Sequence, residues 1–152
     1  MSGEKRRQIE WSIVTFLMRL PIGVLFFFAG LGKFLGGHGK FVAYLVNDMS
    51  AKTWLPHFSL VLFSNVLPFV ELTVGALLLV GLLTRPVLVV TALLLTTLAF
   101  GKVLAQDNQT VAQNINYVFI TAIAFFFSRR DLFSLDTLMF KKKAMPEFQK
   151  GE

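Results

Sequence analysis

The sequence contains no cysteine, and its 152 residues include only two histidines, His38 and His57. Without cysteine the chain cannot carry out dithiol chemistry, hold an iron–sulfur cluster or attach a c-type haem through its own side chains. Neither histidine has a second ligand at the spacing of a metal site, so no metal site is predicted. A glycine-rich phosphate-binding loop and a Ser/His/Asp arrangement are also missing. Any redox role would therefore depend on an electron carrier that the chain does not itself provide.

Charge is scarce as well, since 16% of the residues are charged whereas 55% are hydrophobic and 17 are Phe. The hydrophobic residues fall in long runs, which is typical of an integral membrane protein. Runs of this length predict helices, because the strands of a membrane barrel are only about ten residues long and alternate in polarity. We expect an all-α fold, an integral membrane four-helix bundle that forms one domain over residues 1–152. The predicted spans are 12–35, 58–83, 86–105 and 110–128.

Polar segments separate these runs. Three glycines, a histidine and a lysine in residues 36–40 end the first span, Pro86 suits the start of a helix, and residues 106–109 are too polar for hydrocarbon. The long connection, residues 36–57, contains Phe41, Tyr44 and Trp54 among polar residues. It is predicted to be an interfacial loop at the outer surface, with Trp and Tyr at headgroup depth.

The cations predict how the chain is oriented. Most of them precede the first span, lie in the turn at Arg85 or follow the fourth span, and all of these positions fall on one side of the membrane. Both termini are therefore expected to be cytoplasmic, in the cytoplasmic (inner) membrane of a bacterium. The net charge of +6 is mostly a topology signal, and no nucleic-acid partner is predicted. The lysines at 141–143 are expected to contact anionic lipid of the bilayer.

Helical spacing indicates which polar residues share a face. At 100° per residue, one face of each of three predicted helices collects small or polar side chains. These are Arg19, Gly23, Phe26, Gly30 and Lys33 on the first, Ser64, Leu67, Glu71 and Gly75 on the second, and Asn114, Tyr117, Thr121 and Ser128 on the fourth. The faces are expected to meet inside the bundle, where small residues permit close approach of the helices.

Arg19 and Glu71 stand out because they are opposite charges inside apolar spans. Each would cost about 2.5–3.5 kcal/mol at the bilayer centre unless it is paired or faces protein. Counted from the cytoplasmic ends, Arg19 lies about 10 Å deep and Glu71 about 18 Å deep, a gap that an extended arginine can cover. We predict an intramembrane charge pair, which could be a structural clamp or a proton-transfer or ligand site. The remaining alternative is that the two residues do not meet and burial keeps Glu71 neutral.

A second polar group is expected toward the outer side. It comprises Lys33, Lys102, Gln113, Asn114, Asn116 and Tyr117, with both histidines in the adjoining loop. Donors such as Lys33, Lys102, Asn114 and Tyr117 around an apolar cavity could hold the carbonyl oxygens of a quinone. The alternative is that the lysines extend to the interface and the amides make interfacial hydrogen bonds.

The ordered set of motifs resembles the DoxX family. Arg19-Leu-Pro-Ile-Gly23 is followed by Phe26, by Ala29-Gly30-Leu-Gly-Lys33, by Glu71 with Gly75 and Gly81, and by Thr84-Arg85. Phe133-Ser134-Leu135-Asp136 completes the set, although Ser128-Arg129-Arg130-Asp131 replaces the Gly-Pro-Gly that the family usually has before Ser-Leu-Asp. The resemblance covers nearly the whole chain and marks the following signature residues: Arg19, Gly23, Gly30, Lys33, Glu71, Gly75, Arg85, Ser134 and Asp136.

The resemblance implies a role beside redox enzymes. Related DoxD-type proteins are small membrane subunits of a thiosulfate:quinone oxidoreductase, and other DoxX-like members are linked to membrane redox complexes. The leading hypothesis is a small membrane subunit of a quinone-linked redox complex that anchors a partner oxidoreductase, with no covalently bound cofactor and quinone as the candidate ligand. Alternatives are a small proton-coupled transporter, which could be a homo-oligomer, and a structural assembly factor. No residue is assigned as catalytic.

Overall fold

The structure is a computed structural model that describes residues 3–128, except for the side chains of residues 4, 5 and 8. This part of the chain contains five helices. They are α1 (Gly3–Leu35), α2 (His38–Lys52), α3 (His57–Val80), α4 (Thr84–Leu104) and α5 (Asn108–Phe127). Four of them contain stretches long and apolar enough to cross a membrane, namely Ile9–Leu35, His57–Val80, Thr84–Leu104 and Asn108–Phe127. The all-α membrane fold is therefore confirmed.

The four predicted spans correspond to these four stretches to within a few residues at each end. The loop expected over residues 36–57 contains α2, a helix of 15 residues. The signature residues Ser134 and Asp136, the cations at 129 and 130 and the lysines at 141–143 lie outside the described residues.

The four long helices form a closed ring in the order α1, α3, α4, α5, in which each helix packs against its two neighbours. Their inward faces form one apolar core, made of Ile22, Phe26, Val74, Leu78, Val87, Leu88, Leu95 and Ala124. Large side chains such as Phe28, Phe119 and Phe126 remain more than half exposed on the outside. An apolar outer surface on apolar helices is what a bilayer requires.

Close contact between α1 and α3 is made by glycines. A Cβ atom at Gly75 would lie 2.3 Å from the backbone nitrogen of Phe27, and one at Gly30 would lie 2.7 Å from that of Leu72. The backbones of the two helices therefore touch at these points, as expected for membrane helices that associate through small residues. The prediction that glycines on these faces permit close approach is confirmed.

The short helix α2 lies against α3. Its Val46 and Met49 form a small apolar cluster with Leu60. Its other side carries charges, including an ion pair of Lys52 with Asp48 one turn away. A hydrogen bond to Asp48 raises the pKa of Lys52 above its ordinary value. One apolar and one charged side are typical of a helix at a membrane interface. This pattern agrees with the interfacial position expected for the segment, which stays a prediction.

Candidate functional site

An ion pair between Lys33 of α1 and Glu71 of α3 is the central polar feature of the bundle. The side chain of Glu71 is 5% exposed and that of Lys33 is 21% exposed. The Lys33 ammonium also lies 5.1 Å from the centre of the Phe41 ring of α2, within the range of a cation–π contact. A carboxylate in an apolar interior requires a partner of opposite charge, and Lys33 supplies it.

The predicted pair of Arg19 with Glu71 is wrong. Gly30 lies level with Leu72, and Phe27 lies level with Gly75. The two helices are therefore antiparallel, and the residue numbers rise along α1 as they fall along α3. This register places Glu71 level with residue 31 of α1, about twelve residues or roughly 18 Å from Arg19 at 1.5 Å per residue. The alternative in which the two residues do not meet is therefore the one that holds, although Glu71 has a cation beside it.

Arg19 is buried halfway along α1, beside the turn that follows α3, and is 2% exposed. Its Nη1 donates a hydrogen bond to Oγ1 of Thr84 over 3.3 Å. Gly81, which ends α3 with a φ of 76°, leaves room for the guanidinium, because a Cβ there would lie 2.6 Å from Nη1. Only glycine combines that backbone conformation with the missing side chain. Arg19 thus joins α1 to the turn between α3 and α4.

Arg85, which lies at the start of α4 beside this turn, is exposed. Its guanidinium lies 5.2 Å from the centre of the Phe125 ring of α5. At the same end of the bundle, the rings of Trp11 and Phe127 are 6.0 Å apart, so the start of α1 and the end of α5 lie together. This arrangement agrees with termini on one side of the membrane, although which side that is remains a prediction.

Three buried hydroxyl groups of the bundle bond to their own helices. Thr91 donates to the carbonyl of Val87 over 2.7 Å, and Thr121 donates to that of Tyr117 over 2.7 Å. Ser64 does the same with Val61 over 3.1 Å. Hydroxyl groups engaged in this way satisfy their hydrogen bonds without water or a ligand. The polar faces do meet inside the bundle, and there these three hydroxyls are bonded to carbonyls of their own helices.

The second predicted polar group is divided between two cavities. Lys33 lines a cleft between α1 and α2, and Lys102 lines a cavity between α2, α3 and α4. Asn114 and Tyr117 line neither of them. Asn114 is 8% exposed, and Tyr117 packs against the apolar core. The structure therefore does not bring these four residues together around either cavity.

The cavity beside Lys102 has a volume of about 330 Å³ and is almost entirely apolar. Its walls include Met49, Leu60, Phe63 and Leu98. The Lys102 ammonium makes a salt bridge of 3.3 Å with Asp107. Hydrogen bonds from Thr110 and the contact with Lys102 lower the pKa of Asp107, which also caps the start of α5. One cation at the edge of an apolar cavity suits a ligand with a polar head and an apolar tail.

His38 has a role that the sequence did not reveal. Its ring stacks on Phe34 with centroids 5.7 Å apart and meets Phe69 edge-on at the same distance. Its Nε2 lies 3.3 Å from the carbonyl oxygen of Asn65. His38 thus connects the end of α1, the start of α2 and the first half of α3. Among residues 3–128 no three metal-ligating side chains lie together.

Comparison with known proteins gives one family. The model of the family described as methylamine utilisation protein MauE matches residues 11–113, about two thirds of the chain. No curated protein and no solved structure matches it. The resemblance inferred from the motifs is right at the level of a small multi-pass membrane family, but the model that matches is that of MauE and not that of DoxX.

Proposed function

Because this chain belongs to the MauE family, we propose that it is a membrane accessory subunit that supports an oxidoreductase system. The family description names methylamine utilisation, and release of the nitrogen of a methylamine normally involves oxidation of its carbon. A chain without cysteine cannot itself provide thiol or iron–sulfur chemistry for such an oxidation. In this proposal the subunit holds or assembles the partner that carries out the redox step.

Support for this role comes from the bundle interior, where the buried charges and hydroxyl groups described above have partners within the protein. Glu71 is paired with Lys33, and buried hydroxyls such as those of Thr91 and Thr121 bond to their own helices. Charges and polar groups that satisfy one another rigidify a fold. This interior favours a scaffold over a transporter, whose polar groups would have to exchange partners with water or a substrate.

The finer form of the proposal includes a quinone and a location. The cavity beside Lys102 could take the apolar tail of a quinone while the ammonium faces a carbonyl oxygen. The resemblance to DoxX also points to a quinone-linked complex. We place the subunit in the cytoplasmic membrane of a bacterium, with a redox protein as its partner and both termini on the cytoplasmic side.

The test begins in the native host. Deleting the gene is expected to abolish growth on methylamine as the sole nitrogen source and to lower the amount of active amine oxidoreductase. Restoring the wild-type gene should recover both. Unchanged growth together with an unchanged amount of active enzyme would refute the accessory role.

Extraction in a mild, lipid-preserving detergent tests the partner and the quinone. Mass spectrometry of the purified chain is expected to find a stoichiometric redox or assembly partner, and bound quinone that is lost in Lys102→Gln. Lys52→Gln is the matched control, because it removes a cation that does not line this cavity. Loss of quinone in both variants, or no quinone with the wild-type chain, would contradict the quinone contact but not the accessory role.

A further inference from the structure

The cleft between α1 and α2 has a different chemistry from the cavity beside Lys102. Its volume is about 510 Å³, and much of its wall is glycine and alanine, namely Ala29, Gly32, Gly36 and Gly37. A Cβ atom at Gly32 would meet nothing within 4 Å, so the space in front of this residue is open. Lys33 lines the cleft, and its side chain is 21% exposed.

Two cations face this cleft, and no acidic residue lines it. Lys33 is one of them, and an ammonium has three donors, of which Glu71 needs only one. Lys40 is the other, with its aliphatic stem 3.5 Å from the position of a Gly37 Cβ. Within residues 3–128 no acidic side chain forms a salt bridge with Lys40. Together with Glu71, the two lysines give the cleft a net charge of +1.

The position of the cleft adds an apolar part to the site. Lys33 lies two residues before the end of the membrane-spanning stretch Ile9–Leu35. Phe28, which also lines the cleft and is 62% exposed, lies five residues further in, about 7.5 Å along the helix at 1.5 Å per residue. Cations therefore lie near headgroup depth, and an apolar surface continues from them toward the hydrocarbon. The first turn of α2, which has no acidic residue, adds positive potential.

We propose that this cleft binds an anionic phospholipid, with the phosphate held between Lys33 and Lys40 and an acyl chain lying along Phe28. A free phosphate would use the cations but not the apolar surface, and a neutral lipid would use the apolar surface but not the net charge. An anionic lipid uses both. The proposal does not depend on the accessory role of the chain.

Native mass spectrometry of the purified full chain in a mild detergent can test the proposal with phosphatidylglycerol as the probe. Lys40→Gln is expected to weaken binding about fivefold, equivalent to about 1 kcal/mol for one lysine near a lipid surface. Gly32→Leu, which places a side chain in the open space, should weaken it at least as much. Phosphatidylcholine with the same acyl chains should bind more weakly than phosphatidylglycerol to the wild-type chain.

Matched controls are Lys52→Gln, which removes an equal charge from the same helix, and Gly101→Leu, which fills the other cavity. Neither should change the binding of phosphatidylglycerol. Lys40 is exposed and Gly32 faces open space, so these variants should unfold at the wild-type temperature or above it. Equal losses in Lys40→Gln and Lys52→Gln would overturn the proposal, as would a loss confined to Gly101→Leu. Full competition by glycerol 3-phosphate at the concentration of the lipid would also overturn it, because the acyl chain would then add nothing.

Discussion

Gly75→Ala provides the sharpest test of how α1 and α3 are held together. The new Cβ would lie 2.3 Å from the backbone nitrogen and 2.6 Å from the Cα of Phe27, whereas ordinary contacts begin at 3.4 Å. Backbone atoms cannot turn away as a side chain can, so the two helices must separate by about 1 Å. A gap of 0.5–1 Å already forfeits about a quarter to a half of the dispersion energy of the atoms involved.

The size of the effect follows from two opposing contributions. Overpacking of this kind costs about 1–3 kcal/mol, and a contact with backbone belongs at the upper end. Alanine returns about 1 kcal/mol through its higher helix propensity. The expected net loss is about 2 kcal/mol, which lowers the unfolding temperature by about 4–8 °C for a chain of this size.

Thermal unfolding in detergent, followed by tryptophan fluorescence, measures this change. Gly32→Ala is the matched control, because it is on α1 and a Cβ there meets nothing within 4 Å. It should raise the unfolding temperature by up to about 4 °C through helix propensity alone. Gly30→Ala, with a closest backbone contact of 2.7 Å, should fall between Gly32→Ala and Gly75→Ala. A Gly75→Ala protein as stable as Gly32→Ala would show that the two backbones do not touch.

Three further predictions concern the polar residues. Lys33→Gln alone should lower the unfolding temperature more than the double variant Lys33→Gln with Glu71→Gln. Breaking a buried pair costs about 3–5 kcal/mol, whereas replacing both charges is closer to neutral. Additive effects of the two substitutions would contradict the pairing. Hydrogen bonds from Thr110 and the contact with Lys102 lower the pKa of Asp107. Its carboxylate therefore stabilises the fold at any pH above the ordinary pKa of 3.8, and this stabilisation is lost as the pH falls through the lowered pKa. Asp107→Asn should therefore unfold at a lower temperature than wild type at pH 7, and the difference should shrink in acid; a difference that grows in acid would refute this. Asn114→Leu should leave the unfolding temperature unchanged or raise it, because Asn114 is only 8% exposed and an apolar side chain at this buried position of α5 would be removed from water. A clear decrease would point to a partner for the amide.

The faces of the helices could be predicted from the sequence because they depend only on helical periodicity. Gly23, Phe26 and Gly30 of α1 and Leu67 of α3 are all buried, as the 100° spacing indicated. The membrane spans were also predictable to within a few residues, since hydrocarbon thickness fixes their length.

The partner of Glu71 was not predicted, because it depends on the register between two helices. Counting depth from the ends of the apolar runs assumed that these ends are level, and the result placed Arg19 about 8 Å from the level of Glu71. The contacts of Gly30 and Gly75 set a different register. That register puts residue 31 level with Glu71 and so brings Lys33 within reach of it.

The helix α2 was missed for a related reason. Its sequence has glycines at and just before its start, and its apolar residues alternate with polar ones instead of forming a continuous run, so it gave only an amphiphilic pattern. In the structure Val46 and Met49 are buried against Leu60 of α3, and this tertiary contact stabilises a helix too short to be stable alone. The cleft that contains Lys33 exists because α2 folds back over the end of α1.

Three separate contacts fix α1 against α3, and together they argue for a scaffold rather than a moving part. Arg19 joins it to the turn that follows α3, the glycines bring the two backbones into contact in the middle, and Lys33 pairs with Glu71 near the C-terminal end of α1. Transporters that alternate between two states rock one set of helices against another. Such a motion here would have to part a buried ion pair, at a cost of about 3–5 kcal/mol, and would also lose the glycine contacts. A rigid pair of helices of this kind agrees with the proposed accessory role and leaves the proposed lipid site, which Lys33 lines, in a fixed position.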